Sequence, residues 1–405
     1  MPAATVSLGH IPSVDAPLRC WARPAIISPR RPRRVTLHSS QGDSDDTGGT
    51  GIDAWAGGGQ VSAEEKEVSK LLSKAQAAVV EAERTVERIE ELPSARLPTG
   101  LDKLMQMVQP IIKVATLVAY CWAMHSFGPI VRLGGGLLLA AGVGLRGYRD
   151  MSLSPSGAIA AVVVGWSTLS SSFRAGLVLL GFFYASSALT RFGDEEKDVE
   201  EGHKKGGQRN WVQVYSNGAV PAVLATAAAL ISAGKDLAIL PMSANPPYSL
   251  LMAAFLGYIA CCAGDTWSSE IGQLSDSEPR LITTLRPVRK GTNGGVTLLG
   301  LLSSCFGGLF VGLIFFFTGG SFELQWKVVP LGMGAGLVGS LIDSVLGATV
   351  QFTGYNRTTG KVTGTRGPDV SPISGSPLLD NNGVNVVSAV VTSAVTAAVA
   401  FASAL

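Results

Sequence analysis

From about residue 104 to its C-terminal end, the chain is a succession of apolar runs, each long enough, at roughly 17 to 25 residues, to cross the hydrocarbon layer of a bilayer. No other feature constrains the fold so tightly. Backbone groups inside lipid must bond within their own segment, which selects helices. Nine spans are predicted, at about 104–127, 129–146, 153–170, 173–190, 210–234, 247–265, 294–318, 328–352 and 380–404; Lys113 and Arg132 interrupt the first two. Composition agrees, since only 15% of the 405 residues are charged, against roughly 25% in average soluble domains. The expected fold is therefore all-α: a polytopic membrane bundle of about nine transmembrane helices preceded by an amphipathic soluble helix.

The N-terminal quarter is of another kind. In residues 1–40, Arg19, Arg23, Arg30, Arg31, Arg33 and Arg34 face a single acid, Asp15, and no long apolar core is present. That composition reads as an organelle transit peptide, with a disordered basic tail as the alternative. Residues 41–60 are a Gly/Asp linker. Residues 61–93 hold an amphipathic helix, with Val68, Leu71, Leu72, Ala75, Val79, Ala82, Val86 and Ile89 along one stripe and Pro93 at its end. Residues 104–405 form the multispan domain.

Several chemistries are excluded early. The net charge of +2 gives no nucleic-acid footprint. The four histidines are scattered and the five cysteines lack zinc spacing, so neither a histidine-based triad nor a zinc site is expected. The hexapeptide Gly334–Gly339 fits a dinucleotide-binding glycine pattern, but no strand precedes it. Instead Gly332, Gly336, Gly339, Asp343 and Gly347 fall along one helix face, where small residues permit close packing. The segment Gly354–Val362 misses the Walker A spacing and has no Ser or Thr after Lys361, so a soluble P-loop kinase is excluded.

Counting spans assigns sides. The polar stretches at about 147–152, 191–209, 266–293 and 353–379 are each separated by two spans and must share one side. With their flanks they carry about fourteen Lys and Arg; the opposite loops carry few. The positive-inside rule puts these stretches in the compartment where insertion began.

The candidate chemistry gathers on that side. Asp265 ends a long apolar run, and an ionisable residue there is read as functional, with a helix N-cap as the alternative. On a helix Ser268, Ser269 and Gly272 would share its face, and Glu270 would point away. Arg286, Arg289 and Lys290 precede Gly291, Thr292, Asn293, Gly294 and Gly295. Positive charge beside glycines at the start of a span suits a phosphate, with a turn bearing basic membrane flanks as the bland reading. Asp343 sits on the glycine face of its span, where a buried Asp bonded to Ser or Thr is the alternative. Asp380, Asn381 and Asn385 open the last span; Arg209, Gln213 and Asn217 open the fifth. Acids beside cations and glycines suit a Mg²⁺-bound nucleotide phosphate.

Four strings, GGQRNWVQVYSN, GDTWSSEIGQLSDSEPRLITTLRPVRKGTNGGVT, GSLIDSVLGATVQF and ISGSPLLDNNGVNVVS, closely resemble the transmembrane protein 19 family, and within it the chloroplast phytyl-phosphate kinases. They lie between about residues 185 and 390. The resemblance implies a membrane kinase domain that transfers the γ-phosphate of a nucleoside triphosphate to phytyl phosphate. The product, phytyl diphosphate, serves tocopherol (vitamin E) and phylloquinone synthesis from phytol released by chlorophyll breakdown. It implies a chloroplast membrane, inner envelope or thylakoid, with the loops facing the stroma, and CTP as the expected donor. On that reading Asp265 and Asp343 hold Mg²⁺, with Glu270 and Asp380 as further ligand candidates. Arg286, Arg289 and Lys290 neutralise phosphates; Gly291, Thr292, Asn293 and Gly294 cradle them; Arg209, Asn217, Asn381 and Asn385 complete the pocket. A transporter or flippase of isoprenoid phosphates, and a CTP-dependent lipid cytidylyltransferase, are the alternatives.

Overall fold

A computed structural model describes residues 99–192, 207–319 and 325–402. The transit peptide, linker and amphipathic helix expected over residues 1–93 lie outside the described residues. The nine predicted spans coincide with nine long helices among the described residues: α1 (Thr99–Ser126), α2 (Pro129–Arg149), α3 (Pro155–Ser171), α4 (Phe173–Arg191), α5 (Trp211–Ile231), α6 (Pro246–Gly272), α7 (Leu298–Phe317), α8 (Val328–Val350) and α9 (Asn381–Ala402). Seven of them, α2 and α4 to α9, are long and apolar enough to cross a bilayer.

Helix starts follow local chemistry. Ser154 Oγ accepts the Gly157 amide at 3.1 Å to cap α3, and Thr297 Oγ1 accepts the Gly300 amide at 3.0 Å to cap α7. Asn210 and Gln213 form a reciprocal capping box at the start of α5. Each cap satisfies an amide left over from the first helical turn.

The centre of the bundle is α6, which packs against α4, α5, α7, α8 and α9. Its stretch from Met252 to Ala263 is apolar nearly all round, the pattern of a helix enclosed by other helices; Met252, Phe255, Tyr258 and Ile259 are fully buried. On the outer helices, Leu138, Val223, Leu230 and Phe306 are more than half exposed, as side chains facing lipid would be.

Helices α6, α7 and α8 approach through glycine. A Cβ added to Gly264 would lie 2.4 Å from the Gly336 carbonyl oxygen, and one added to Gly308 would lie 2.3 Å from that of Gly332. Without hydrocarbon–water contrast between helices, such close backbone packing is a main source of association in membranes.

Two differences from the sequence expectation matter. Helix α6 does not end near Asp265 but continues for two more turns to Gly272, so Asp265 lies inside a helix and is not its N-cap. The all-α expectation also omitted two small ladders in the long loops. Strands β1 (Arg280–Leu281) and β2 (Gly295–Val296) pair antiparallel, and β3 (Thr353–Asn356) pairs with both β4 (Lys361–Thr363) and β5 (Val370–Ser374). The near-miss Walker segment is thus the β3–β4 hairpin, turning through Gly360 at φ +71°. These strands are only two to five residues long, too short to stand out as alternating runs.

A polar cavity at one end of the bundle

Residues 207–210 ahead of α5 and the loops between α6 and α7 and between α8 and α9 gather at one end of the helices, as span parity requires. Hydrogen bonds stitch this end together. The Ser154 amide donates to the Arg209 carbonyl at 2.9 Å, Asn293 Nδ2 donates to Thr353 Oγ1 at 2.9 Å, and the Leu378 and Leu379 amides reach the Val350 carbonyl. Inside lies a cavity of about 570 Å³.

Its floor is a carboxyl pair. Asp265 from α6 and Asp343 from α8 both line the cavity and are close enough to interact. The glycine seam produces this meeting, because Gly264 abuts Gly336 and Gly339 abuts Cys261, one turn before each acid or adjacent to it. Ser388 of α9, itself buried, donates to Asp343 Oδ2 at 2.9 Å and orients that carboxyl. Among the described residues no Lys or Arg comes within ion-pair distance of either acid; the pair Arg146–Asp150 lies elsewhere. Two like-charged carboxylates in contact repel, and either a proton or a bound cation relieves that repulsion.

Above the pair runs the glycine-rich loop Lys290–Gly295, all of it lining the cavity. Gly291 and Gly294 adopt φ of +82° and +78°. Gly294 is required for a second reason: an added Cβ would meet Ala348 Cβ at 2.5 Å and the Ser344 carbonyl at 2.6 Å. The loop is pressed onto α8 there. Thr292 is buried, and its hydroxyl has no hydrogen-bond partner among the described residues. A buried polar atom without a partner calls for an explanation, and this one sits in the wall of the cavity.

Opposite stands Arg209. Its guanidinium donates to Ser187 Oγ at 2.9 Å and Thr190 Oγ1 at 3.3 Å, and Thr190 in turn donates to Glu270 Oε1 at 2.6 Å. Burial lowers the Arg209 pKa from its ordinary value, and Glu270 acts in the opposite sense.

Of the sequence candidates, Asp265, Asp343, Lys290, Arg209, Asn217, Gly291, Thr292, Asn293, Gly294, Asn381, Asn385 and Glu270 all line this cavity. Three do not. Arg286 is exposed at the base of a tight reversal, where its carbonyl accepts the Leu281 amide. Arg289 is exposed with its guanidinium 4.0 Å from the Tyr355 ring centroid. Asp380 is exposed and accepts the Gly383 amide at 2.8 Å, capping α9. Glu270 reaches the rim although α6 does not break, because the cavity wraps round the end of the helix toward Thr190.

Among the described residues no three His, Cys, Asp or Glu gather as a ligand set, so Glu270 and Asp380 do not join the pair. Mg²⁺ fits this arrangement all the same. It is usually held by one or two carboxylates, with phosphate oxygens and waters completing the shell. Thr190, Gln273, Ser344 and Gln351 also line the cavity and were not singled out from sequence. A single hydroxyl or amide in an apolar run carries no signal of its own.

A helical membrane protein with a half-buried acid pair beneath a cationic glycine loop is the class this fold and site define. Residues 138–393 match the family described as integral membrane protein DUF92, and the chain belongs to that family. It is 46% identical to Protein PGR of Arabidopsis thaliana over 279 residues, covering 66% of this chain and 96% of that protein. It is 28% identical to the uncharacterized membrane protein MJ0933 of Methanocaldococcus jannaschii over 226 residues, 56% of this chain and 86% of that one. To Protein VTE6, chloroplastic, of Arabidopsis thaliana it is 27% identical over 201 residues, 49% of this chain and 56% of that protein. No solved structure matches. The similarity therefore carries the family and not the phytyl-phosphate kinase branch that the sequence resemblance singled out.

Proposed function

We propose that the protein is a phosphotransferase of a chloroplast membrane, moving the γ-phosphate of a nucleoside triphosphate, CTP by expectation, onto phytyl phosphate to give phytyl diphosphate. The observation that carries this reading is the contact between Asp265 and Asp343 beneath Lys290 and the glycine loop. An acid pair without a cationic partner, facing phosphate-suited groups, is what a shared divalent ion and two phosphates require. The plastid location rests on the arginine-rich N-terminal stretch and on the similarity to Protein VTE6, chloroplastic; the Lys and Arg bias of the loops favours the stromal side.

The chemistry needs little from the protein beyond placement. A phosphate monoester is already largely a dianion near neutral pH, its second pKa being about 6. One of its oxygens attacks the γ-phosphorus, the bond from that phosphorus to the β–γ bridging oxygen breaks, and the nucleoside diphosphate leaves. No proton has to be abstracted, in keeping with the absence of histidine from the cavity lining among the described residues. Such transfer relies on positioning and charge stabilisation. When bound, Mg²⁺ supplies charge neutralisation between phosphate oxygens. Asp265 and Asp343 would hold it, Ser388 fixes the Asp343 carboxyl, and Lys290 with the Gly291 and Gly294 amides meets charge developing on the transferred group.

Incubating purified protein with phytyl phosphate, Mg²⁺ and each of the four triphosphates tests this. Phytyl diphosphate and nucleoside diphosphate are the expected products. A CMP-linked lipid would instead mark nucleotidyl transfer, and vesicle uptake without turnover would mark transport.

A further inference from the structure

We propose that the acceptor is a single-chain lipid whose first few carbons lie in an apolar crevice between α2, α3, α4 and α5, with its anionic head on Arg209. This deepens the phosphotransfer reading and rests on it only for the identity of the head group. The crevice, about 80 Å³, is walled by Val143, Ala161, Val164, Leu179, Phe182 and Phe183. Its polar end is made of Arg209, Gln213 and Asn217, and these same three residues line the polar cavity. The two spaces therefore adjoin at a guanidinium.

That seam is built for an amphiphile. Arg209 holds Ser187 and Thr190 through two of its nitrogens, which fixes the guanidinium where an apolar chain would meet its phosphate. A planar fork of donors suits a phosphate oxygen better than a lone ammonium does. On the apolar side, small residues set the width. Gly218 also lines the crevice, and a Cβ there would lie 2.6 Å from Val164 Cγ1; one at Gly165 would lie 3.3 Å from Ala140 Cβ. A space so narrow takes one chain segment and not two side by side. The rest of a long tail would lie beyond the crevice, along helices whose outward side chains such as Ile159 and Val163 are exposed. The geometry thus selects a one-tailed lipid monophosphate over a diacyl phosphatidate.

Binding measured without nucleotide separates this from the phosphotransfer claim. The probes are geranylgeranyl monophosphate and dioleoyl phosphatidate, titrated onto the full chain in detergent and read by native mass spectrometry. The single-chain probe should bind and phosphatidate should bind at least about tenfold more weakly. Ala161→Phe, which fills the crevice, should weaken the single-chain probe roughly tenfold or more, within the usual cost of overpacking, while nucleotide binding in the polar cavity is retained as the check on folding. If that variant does not fold, Ala161→Leu gives a smaller graded loss. Equal binding of the two probes, or unchanged prenyl phosphate binding in a folded crevice-filled variant, would show a packing void only and overturn the proposal. Crevice-dependent binding with no phosphotransfer would leave this inference standing and remove the kinase.

Discussion

The meeting of Asp265 and Asp343 depends on helix α6 lying backbone to backbone against α8, and one methyl group tests that. In Gly264→Ala the new Cβ would sit 2.4 Å from the Gly336 carbonyl oxygen and 2.8 Å from its carbonyl carbon and Cα, where ordinary contact begins near 3.4 Å. These are backbone atoms and cannot rotate away, so the helices must part by about 1 Å. Overpacking of this sort costs about 1–3 kcal/mol. The cost is best measured against Gly334→Ala on α8, whose Cβ would meet nothing within 4 Å and which gains up to about 1 kcal/mol of helix propensity. Asp265 follows Gly264 directly, so the same 1 Å displaces its carboxyl. A misplacement of that size costs on the order of 100-fold in rate. The assay is phosphotransfer beside thermal unfolding of both variants. Gly264→Ala with the stability and turnover of Gly334→Ala would refute the argument that glycine packing builds the site.

Other outcomes follow from the placement of individual residues. Asp265→Asn should abolish turnover while leaving the thermal transition and detergent-solubilised yield intact; ordinary activity would remove Asp265 from the site. Lys290→Gln should lower turnover about 100-fold or more, as for loss of a charge-stabilising donor, whereas Arg286→Gln should change it less than about threefold; the reverse ranking would contradict the placement of the loop. Asp380→Ala should cost about 1 kcal/mol through the lost cap, seen as a lower unfolding temperature, with turnover of the folded protein retained.

How much of this was legible in the sequence differs by scale. Helix number, helix positions and the end of the bundle at which polar groups collect follow from run length and parity, because lipid leaves the backbone few choices, although only seven of the nine helices are apolar and long enough to span. The glycine face of α8 was also readable, since helical period carries Gly332, Gly336, Gly339 and Asp343 to one side. Within the loops the same logic fails. Arg286 and Lys290 are both basic and four residues apart, yet Arg286, directly after a reversal at Leu285 with φ +56°, is exposed while Lys290 lines the cavity. Residue type cannot say which way a turn faces. Asp380 and Asp265 both looked like acids at helix ends, and only the observed helix boundaries separate the cap from the half-buried acid. Thr190 was invisible for the opposite reason: one hydroxyl near the end of an apolar span gains meaning only when Arg209 and Glu270 arrive on either side of it.

Mn²⁺ electron paramagnetic resonance offers the most direct test of the central claim, with Mn²⁺ in place of Mg²⁺ and a non-hydrolysable triphosphate analogue bound to the purified chain. The account predicts a bound Mn²⁺ signal with phosphorus hyperfine coupling in the unaltered protein, and loss of that signal in Asp343→Asn with folding preserved. Equal Mn²⁺ binding in the variant, or bound Mn²⁺ without phosphorus coupling, would contradict it.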